Sequence, residues 1–166
     1  MFRCSNFSNS IKTVPPLETK SATIDRAAIV GAVRDWLGTP YRHQTSVKHQ
    51  GTDCLGLIRG VYRDLYGREP ETPPPYTPDW NERRASEEPL LSAARRHLVP
   101  IADDTILPGH VLVFRVVEDG PAKHCGVATA CDQFIHAYAG RAVIESWLSR
   151  WWRDRLVGLF DYPGAV

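Results

Sequence analysis

No segment of this 166-residue chain stays apolar over the roughly 18–20 residues that a bilayer-crossing helix needs. Met1–Lys20 is polar and lacks the apolar core of a signal peptide, so the expectation is a chain made in the cytoplasm without an export signal of its own. Neither sign of charge dominates: 20 Lys and Arg against 19 Asp and Glu leave a formal net charge of +1. No basic stripe compensates, so bulk electrostatics gives no reason to expect nucleic acid or an anionic membrane as partner. Cysteine is scarce too. Cys4, Cys54, Cys125 and Cys131 are too few and too unevenly spaced for a disulfide scaffold of this length, and no CxxC pair marks a zinc ribbon or a redox centre. Reduced thiols are expected. With no internal repeat, the chain reads as a flexible leader over residues 1–20 followed by one domain over residues 21–166.

What is present is organised around Gly51-Thr52-Asp53-Cys54-Leu55-Gly56-Leu57-Ile58. The apolar positions Leu57, Ile58, Val61, Tyr62 and Leu65 recur at three- and four-residue steps, which predicts one face of a helix that ends at Gly67. Asp53 suits its N-cap, because a carboxylate there accepts from first-turn amides, and Cys54 then falls at the first helical position. The helix dipole favours an anion at that point. A thiol there is expected to shift toward the thiolate, with Gly51 and Gly56 leaving room for a substrate. The octet alone fits a buried structural cysteine equally well. An earlier helix is expected from a cap at Ser21 or Thr23 to Leu37, burying Ile29, Val33, Trp36 and Leu37 and stopping at Gly38 and Pro40. The polar stretch Thr39–Thr52 leads straight into the thiol. Tyr41 within it is a candidate substrate contact by its hydroxyl, or else packs its ring on the first helix. Arg68–Trp80 holds too much proline for helix or central strand. A third helix is expected after a cap at Ser86, with Glu87 and Glu88 in its first turn and Leu90, Leu91, Ala94 and Leu98 facing inward.

Beyond Pro108-Gly109 the periodicity changes. His110–Val117, Lys123–Thr129, Gln133–Ala137, Ala142–Ser146 and Leu156–Tyr162 are short β-branched or aromatic runs separated by turn residues. Helices first and an antiparallel sheet second predict an α+β domain. Two of these strands carry His124 and His136, and the turn between them decides whether the rings can meet. A two-residue turn at Cys131-Asp132 pairs Val127 with His136 and puts the histidines on opposite faces. A three-residue turn at Ala130-Cys131-Asp132 pairs Gly126 with His136, making the rings diagonal neighbours on one face with Cβ atoms about 7 Å apart. Taken singly, each histidine fits a structural role. Together with a helix-start thiol they form the nucleophile, base and orienter set of a cysteine hydrolase. His43, His49, His97 and His110 are read as surface or structural residues.

The run Trp36-Leu37-Gly38-Thr39-Pro40-Tyr41, the block Asp53-Cys54-Leu55-Gly56-Leu57 and the strands His124-Cys125-Gly126-Val127 and Phe134-Ile135-His136-Ala137 occur in that order. In order and spacing they resemble the NlpC/P60 family, more narrowly its phage and gene-transfer-agent cell-wall peptidases. The resemblance covers about Ile24 to Tyr162. It implies a papain-like α+β fold in circularly permuted order and a peptidase that cuts peptidoglycan stem peptides, typically between D-γ-glutamyl and diaminopimelate or lysine. It further implies Cys54 as nucleophile, His124 as general base, His136 as the polar residue that orients it, and Tyr41 and Asp53 as substrate contacts, the aspartate meeting a free amine. No cofactor or metal is implied. The partners would be the stem peptide and phage-tail or gene-transfer-agent proteins, with the cell wall reached by a delivery particle or by lysis. One departure stands out: many family members have Ser directly after the cysteine, where this chain has Leu55.

Two other classes compete. Cys54, His124 and His136 would also serve as three zinc ligands with water in the fourth position. A non-catalytic domain that contributes assembly contacts to a phage tail is the other, with Trp147, Trp151 and Trp152 as a partner surface. Against that surface, core packing is expected for at least two of the three tryptophans.

Overall fold

The computed structural model describes residues 23–75 and 88–166. The leader, the caps proposed at Ser21 and Ser86 and the end of the Pro-rich stretch therefore lie outside the described residues. The first helix, α1 (Arg26–Arg34), is capped by Asp25, whose carboxylate accepts from the Ala27 amide at 2.8 Å. It is shorter than its apolar pattern predicts. The chain turns over residues 35–38 and Gly38 takes a positive φ of 78°; Trp36 stays buried, while Leu37 is 39% exposed and not part of the core. The amide of Gly38 and the carbonyl of Thr39 then bond to Val143, tying this turn to the sheet.

A two-strand ribbon, β1 (Ser46–Val47) and β2 (Gly51–Thr52), delivers the chain to α2 (Cys54–Tyr66). Asp53 is its N-cap, accepting from the Gly56 amide at 2.7 Å, and Gly67 ends it in the left-handed conformation that only glycine adopts freely. Leu57, Ile58, Val61 and Tyr62 are buried on one face, as their spacing predicts. Trp36 lies across Gly60 of this helix and donates from its indole nitrogen to Asp64 at 2.9 Å, which fixes α1 against α2. The third helix, α3 (Pro89–His97), starts on proline without a side-chain cap. Glu88 precedes it, but its carboxylate is used elsewhere, pairing with Arg115 and accepting from the Ala122 amide at 2.8 Å.

Six strands follow: β3 (Val99–Pro100), β4 (Val111–Phe114), β5 (His124–Ala128), β6 (Gln133–Ala137), β7 (Val143–Trp147) and β8 (Leu156–Asp161), with a one-turn helix α4 (Arg150–Arg153) before the last. They form one sheet in the order β3-β8-β4-β5-β6-β7 with every neighbouring pair antiparallel. Strand alternation divides it cleanly. Val111, Val113, Cys125, Val127, Ile135, Ala137 and Val143 pack with Ile29, Val33, Leu57, Val61 and Leu91 of the three helices. Leu112, Phe114, Ala128 and Phe134 form a second apolar cluster on the opposite face, closed by Leu148, Leu159 and the half-buried Trp152. This is the α+β, papain-like arrangement of helices on an antiparallel sheet.

The tryptophans depart from expectation. Trp147 ends the edge strand β7 and is 66% exposed, and Trp151 on α4 is 45% exposed beneath the Arg155 guanidinium, 4.1 Å from its ring. An edge strand and a four-residue helix offer too little neighbouring structure to cover an indole, so only Trp152 reaches the second cluster.

A methyl group on Gly60 would fall inside the buried Trp36 ring. Gly60→Ala is therefore expected to lower the stability of the fold by about 1–3 kcal/mol, as overpacking in a filled core does. Chemical denaturation of the variant beside the unmodified protein checks this.

Candidate active site

Cys54 opens α2 and is half-buried, with its sulfur directed at the Lys123 carbonyl, 3.9 Å away, immediately before β5 begins. Three conditions favour its anion. A hydrogen bond from the Cys125 thiol comes first, outweighing burial, and a hydrogen bond and positive charge from His124 add to it; the nearby Asp53 carboxylate opposes them. Together they hold Cys54 well below the usual thiol range, and the free amides of the helix start act in the same direction. Cys125 is pushed well above that range by its hydrogen bond to Cys54 and by burial, so of the two thiols Cys54 carries the charge.

The hairpin takes the three-residue turn. Val127 pairs with Ile135 and Ala128 with Phe134, the register in which Gly126 faces His136, and the Thr129 amide bonds to the Gln133 carbonyl at 2.9 Å across the turn. His124 and His136 therefore share a face. His124 Nε2 and His136 Nδ1 are 2.8 Å apart, with ring centroids at 5.0 Å in an edge-to-face arrangement. A side chain at position 126 would press on the His136 Cβ and the Ile135 carbonyl, so glycine is what lets the strands close here.

Both histidines lie on the sheet face away from α1 and α2, with Phe114 and Phe134. The thiol is on the helix face. They meet because His124 is the first residue of β5 and Cys54 sits at that same strand end, where a ring can reach around the backbone to the sulfur.

His136 has no exposed surface, and burial followed by the charge on His124 lowers its pKa to about 3. Phe134 stacks on it with centroids 4.5 Å apart, and Trp152 stacks on His124 at 5.3 Å. His136 Nε2 lies 3.0 Å from the Ser146 hydroxyl on β7. Neither Ser146 nor Trp152 was singled out as a site residue from the sequence. The only available signal was strand parity, which sets Ser146 on the His136 face once β6 and β7 pair with His136 opposite Ile144.

Tyr41 is half-buried beside the thiol: burial, then the charges of Cys54 and Asp53, push its hydroxyl up to about 12. Asp53 is almost wholly buried and occupied by its own chain. One oxygen accepts from the Gly56 amide and the other from the Gln44 amide, both at 2.7 Å, with His43 Nδ1 at 3.6 Å. The expected room at Gly51 and Gly56 is likewise filled from within, by the Arg42 side chain and by the Thr45 carbonyl and Thr52 hydroxyl. Leu55 does not face this site; with Ile58, Tyr62, Leu90, Val113 and Cys125 it lines an apolar cavity of about 50 Å³. Open space lies on the other side of His124, in a cleft of about 660 Å³ walled by Val116, Tyr138, Ala139, Ser149, Trp151 and Trp152. As for a metal, no three His, Cys, Asp or Glu side chains gather in a ligating cluster among the described residues. His124 Nε2 and His136 Nδ1 are engaged with each other.

A low-pKa thiol on a helix tip, met by a strand imidazole that leans on a buried neutral one, defines with this fold a papain-like peptidase, a hydrolase. Residues 38–160 match the model of the NlpC/P60 family, and the chain belongs to that family. It is 26% identical over 153 residues to the probable endopeptidase NlpC of Escherichia coli K12, covering 88% of each chain. To the gamma-DL-glutamyl hydrolase of Bacillus subtilis 168 it is 26% identical over 139 residues, 83% of this chain but 29% of that protein's length. The NlpC/p60 domain of the peptidoglycan hydrolase SagA superposes with a TM-score of 0.59 at 24% identity, over 83% of this chain and 99% of that domain.

Because folding keeps His136 neutral to about pH 3, while an unfolded histidine takes up its proton near 6.5, the unfolded chain binds more protons between those values. Stability contributed by the neutral ring is thus complete above about 6.5 and is lost progressively as the pH falls toward 3. Urea denaturation across that window is expected to show this slope in the unmodified protein and a flatter one in His136→Asn; equal slopes would assign the proton to another group.

Proposed function

We propose that this protein hydrolyses peptide bonds of peptidoglycan stem peptides, of the D-γ-glutamyl-diaminopimelate type. The observation that carries the reading is the contact chain from Cys54 through His124 to His136, at the tip of α2 and the start of β5. The names of the relatives, an endopeptidase and a gamma-DL-glutamyl hydrolase, support the substrate class. Delivery by a phage-like particle or release by lysis completes the proposal, supported by the resemblance of the four sequence blocks.

In this reading the Cys54 thiolate attacks the amide carbonyl, forming a C–S bond while the carbonyl electrons move to oxygen. The first-turn amide of Cys54, at the positive end of α2, stabilises that oxyanion. Collapse breaks the C–N bond, and the proton on His124 Nδ1 goes to the leaving nitrogen. His124 then takes a proton from water, whose oxygen attacks the thioester and returns the sulfur as thiolate. His136 holds His124 through Nε2, so the ring keeps Nδ1 toward the sulfur throughout. Because His124 serves the leaving group, the cleft beside it receives the leaving portion of the substrate. Tyr41, with a hydroxyl that stays protonated beside the sulfur, is a substrate contact. Asp53 contributes by charge and by fixing the helix start, since its oxygens already accept from Gly56 and Gln44.

Incubation of the protein with purified peptidoglycan fragments is expected to release new amino and carboxyl termini, identified by mass spectrometry. Cys54→Ala should lower the rate by at least about 10³-fold, as loss of a nucleophile from a cooperating set does. Unaltered fragments with the unmodified protein, or equal cleavage by the variant, would count against the peptidase reading.

A further inference from the structure

Resting on the thiolate reading above, we infer that Ser146 is a positioning residue of the reaction, the fourth member of a hydrogen-bond chain that runs Cys54, His124, His136, Ser146. The inference starts from donor arithmetic. An imidazolium at His124 has N–H groups at both nitrogens and can only donate from Nε2. His136 Nδ1, 2.8 Å away, must then be the acceptor. His136 is neutral and carries one proton, which must sit on Nε2 and point at the Ser146 hydroxyl oxygen 3.0 Å away.

The reverse direction fails. Were the hydroxyl to donate to Nε2, the His136 proton would move to Nδ1 and face the His124 proton across 2.8 Å. The two rings could then coexist only with His124 neutral, which is the state that leaves Cys54 without its counter-charge.

Position 146 is suited to this task. Ser146 is the last residue but one of β7, where Phe134 pairs with Ser146 and His136 with Ile144, so hydroxyl and ring are diagonal neighbours on one face. Stacking on Phe134 and edge contact with Trp152 hold the His136 ring plane while the hydroxyl selects its tautomer. The neighbouring Glu145 points to the other face, bonded to Thr129 and 3.6 Å from Arg34, and does not compete for the ring.

Among the described residues, the groups that face the reacting pair of Cys54 and His124 are Asp53 from the start of α2, Tyr41 from the loop before β1, Cys125 from β5, and His136 and Tyr138 from β6 and its end. Ser146 itself does not titrate. Its removal therefore reaches the thiol only by way of the two imidazoles.

The test compares Ser146→Ala and Ser146→Thr with the unmodified protein by the pH dependence of iodoacetamide alkylation at Cys54, read on the Cys54 peptide by mass spectrometry so that Cys131 does not interfere. Cleavage of peptidoglycan fragments is measured in parallel. In Ser146→Ala the imidazolium loses support, so the thiol pKa rises and the alkylation profile moves to higher pH. Its kcat is expected to fall roughly 10- to 100-fold, a part of what general acid–base catalysis supplies, with KM nearly unchanged. Ser146→Thr, which keeps the hydroxyl, is expected to restore both. A depressed profile in the unmodified protein that Ser146→Ala leaves in place would overturn this inference alone. So would a failure of threonine to restore it. A Cys54 that alkylates only in the ordinary thiol range in the unmodified protein would overturn the thiolate reading and the inference with it.

Discussion

A single imidazole held neutral inside an aromatic cage sets the terms for the rest of the site. His136 has no exposed surface, and the rings of Phe134, Trp152 and Tyr138 surround it. Charging it there would cost the solvation of an ion with no carboxylate to repay it. Neutrality gives the ring exactly one donor and one acceptor, and that asymmetry lets a chain of contacts have a direction. In a low-dielectric surround each of these hydrogen bonds is stronger than it would be in water, and each fixes the next. The apolar cluster of Leu112, Phe114, Ala128 and Phe134 is thus more than a second core; it is the medium in which the histidine pair works.

The sheet separates the two halves of the chemistry. Cys54 belongs to the helix face and the histidines to the opposite one, and for most of its length a strand would keep such groups apart. The end of a strand is the exception. His124 is the first residue of β5, and the sulfur sits against the carbonyl of the residue before it. Two residues further along β5 the same face carries Gly126, where strand β6 closes down and no side chain fits. Thiol and imidazole can therefore meet at this corner and nowhere further along the strand, and the packing of α2 on β5 is the constraint that brings them there.

Local features of this design are legible in the sequence. Asp53 and Gly67 bracket α2, and β6 runs from Gln133 to Ala137 as its pattern predicts. These depend on neighbours a few residues away. What sequence reasoning misses is non-local or is decided by competition. Ser146 becomes a partner of His136 only through the pairing of β6 with β7. Leu37 leaves the core because α1 stops at Arg34 and the turn swings it outward, although the helical period alone would bury it. Trp147 and Trp151 are exposed because hydrophobicity says that a side chain favours burial, not whether an edge strand supplies a cover. Gly51 and Gly56 do make room, but for the chain's own Arg42 and Thr45.

The departure at Leu55 follows from which way that side chain turns. Next to the helix-tip thiol, a leucine looks like the loss of a polar contact. In the fold it faces the apolar cavity shared with Ile58, Leu90, Val113 and Cys125, and neither Tyr41 nor the His124 cleft lines that cavity. Cys125 brings a thiol to that same wall. Two thiols in contact compete for one negative charge: Cys125, driven up first by its hydrogen bond to Cys54 and then by burial, keeps its proton and remains a donor, while Cys54, with His124 and the helix tip beside it, becomes the acceptor. A wall of leucine and thiol thereby supports an anion on one side, while the imidazole, the tyrosine and the open cleft are the polar approaches to the sulfur.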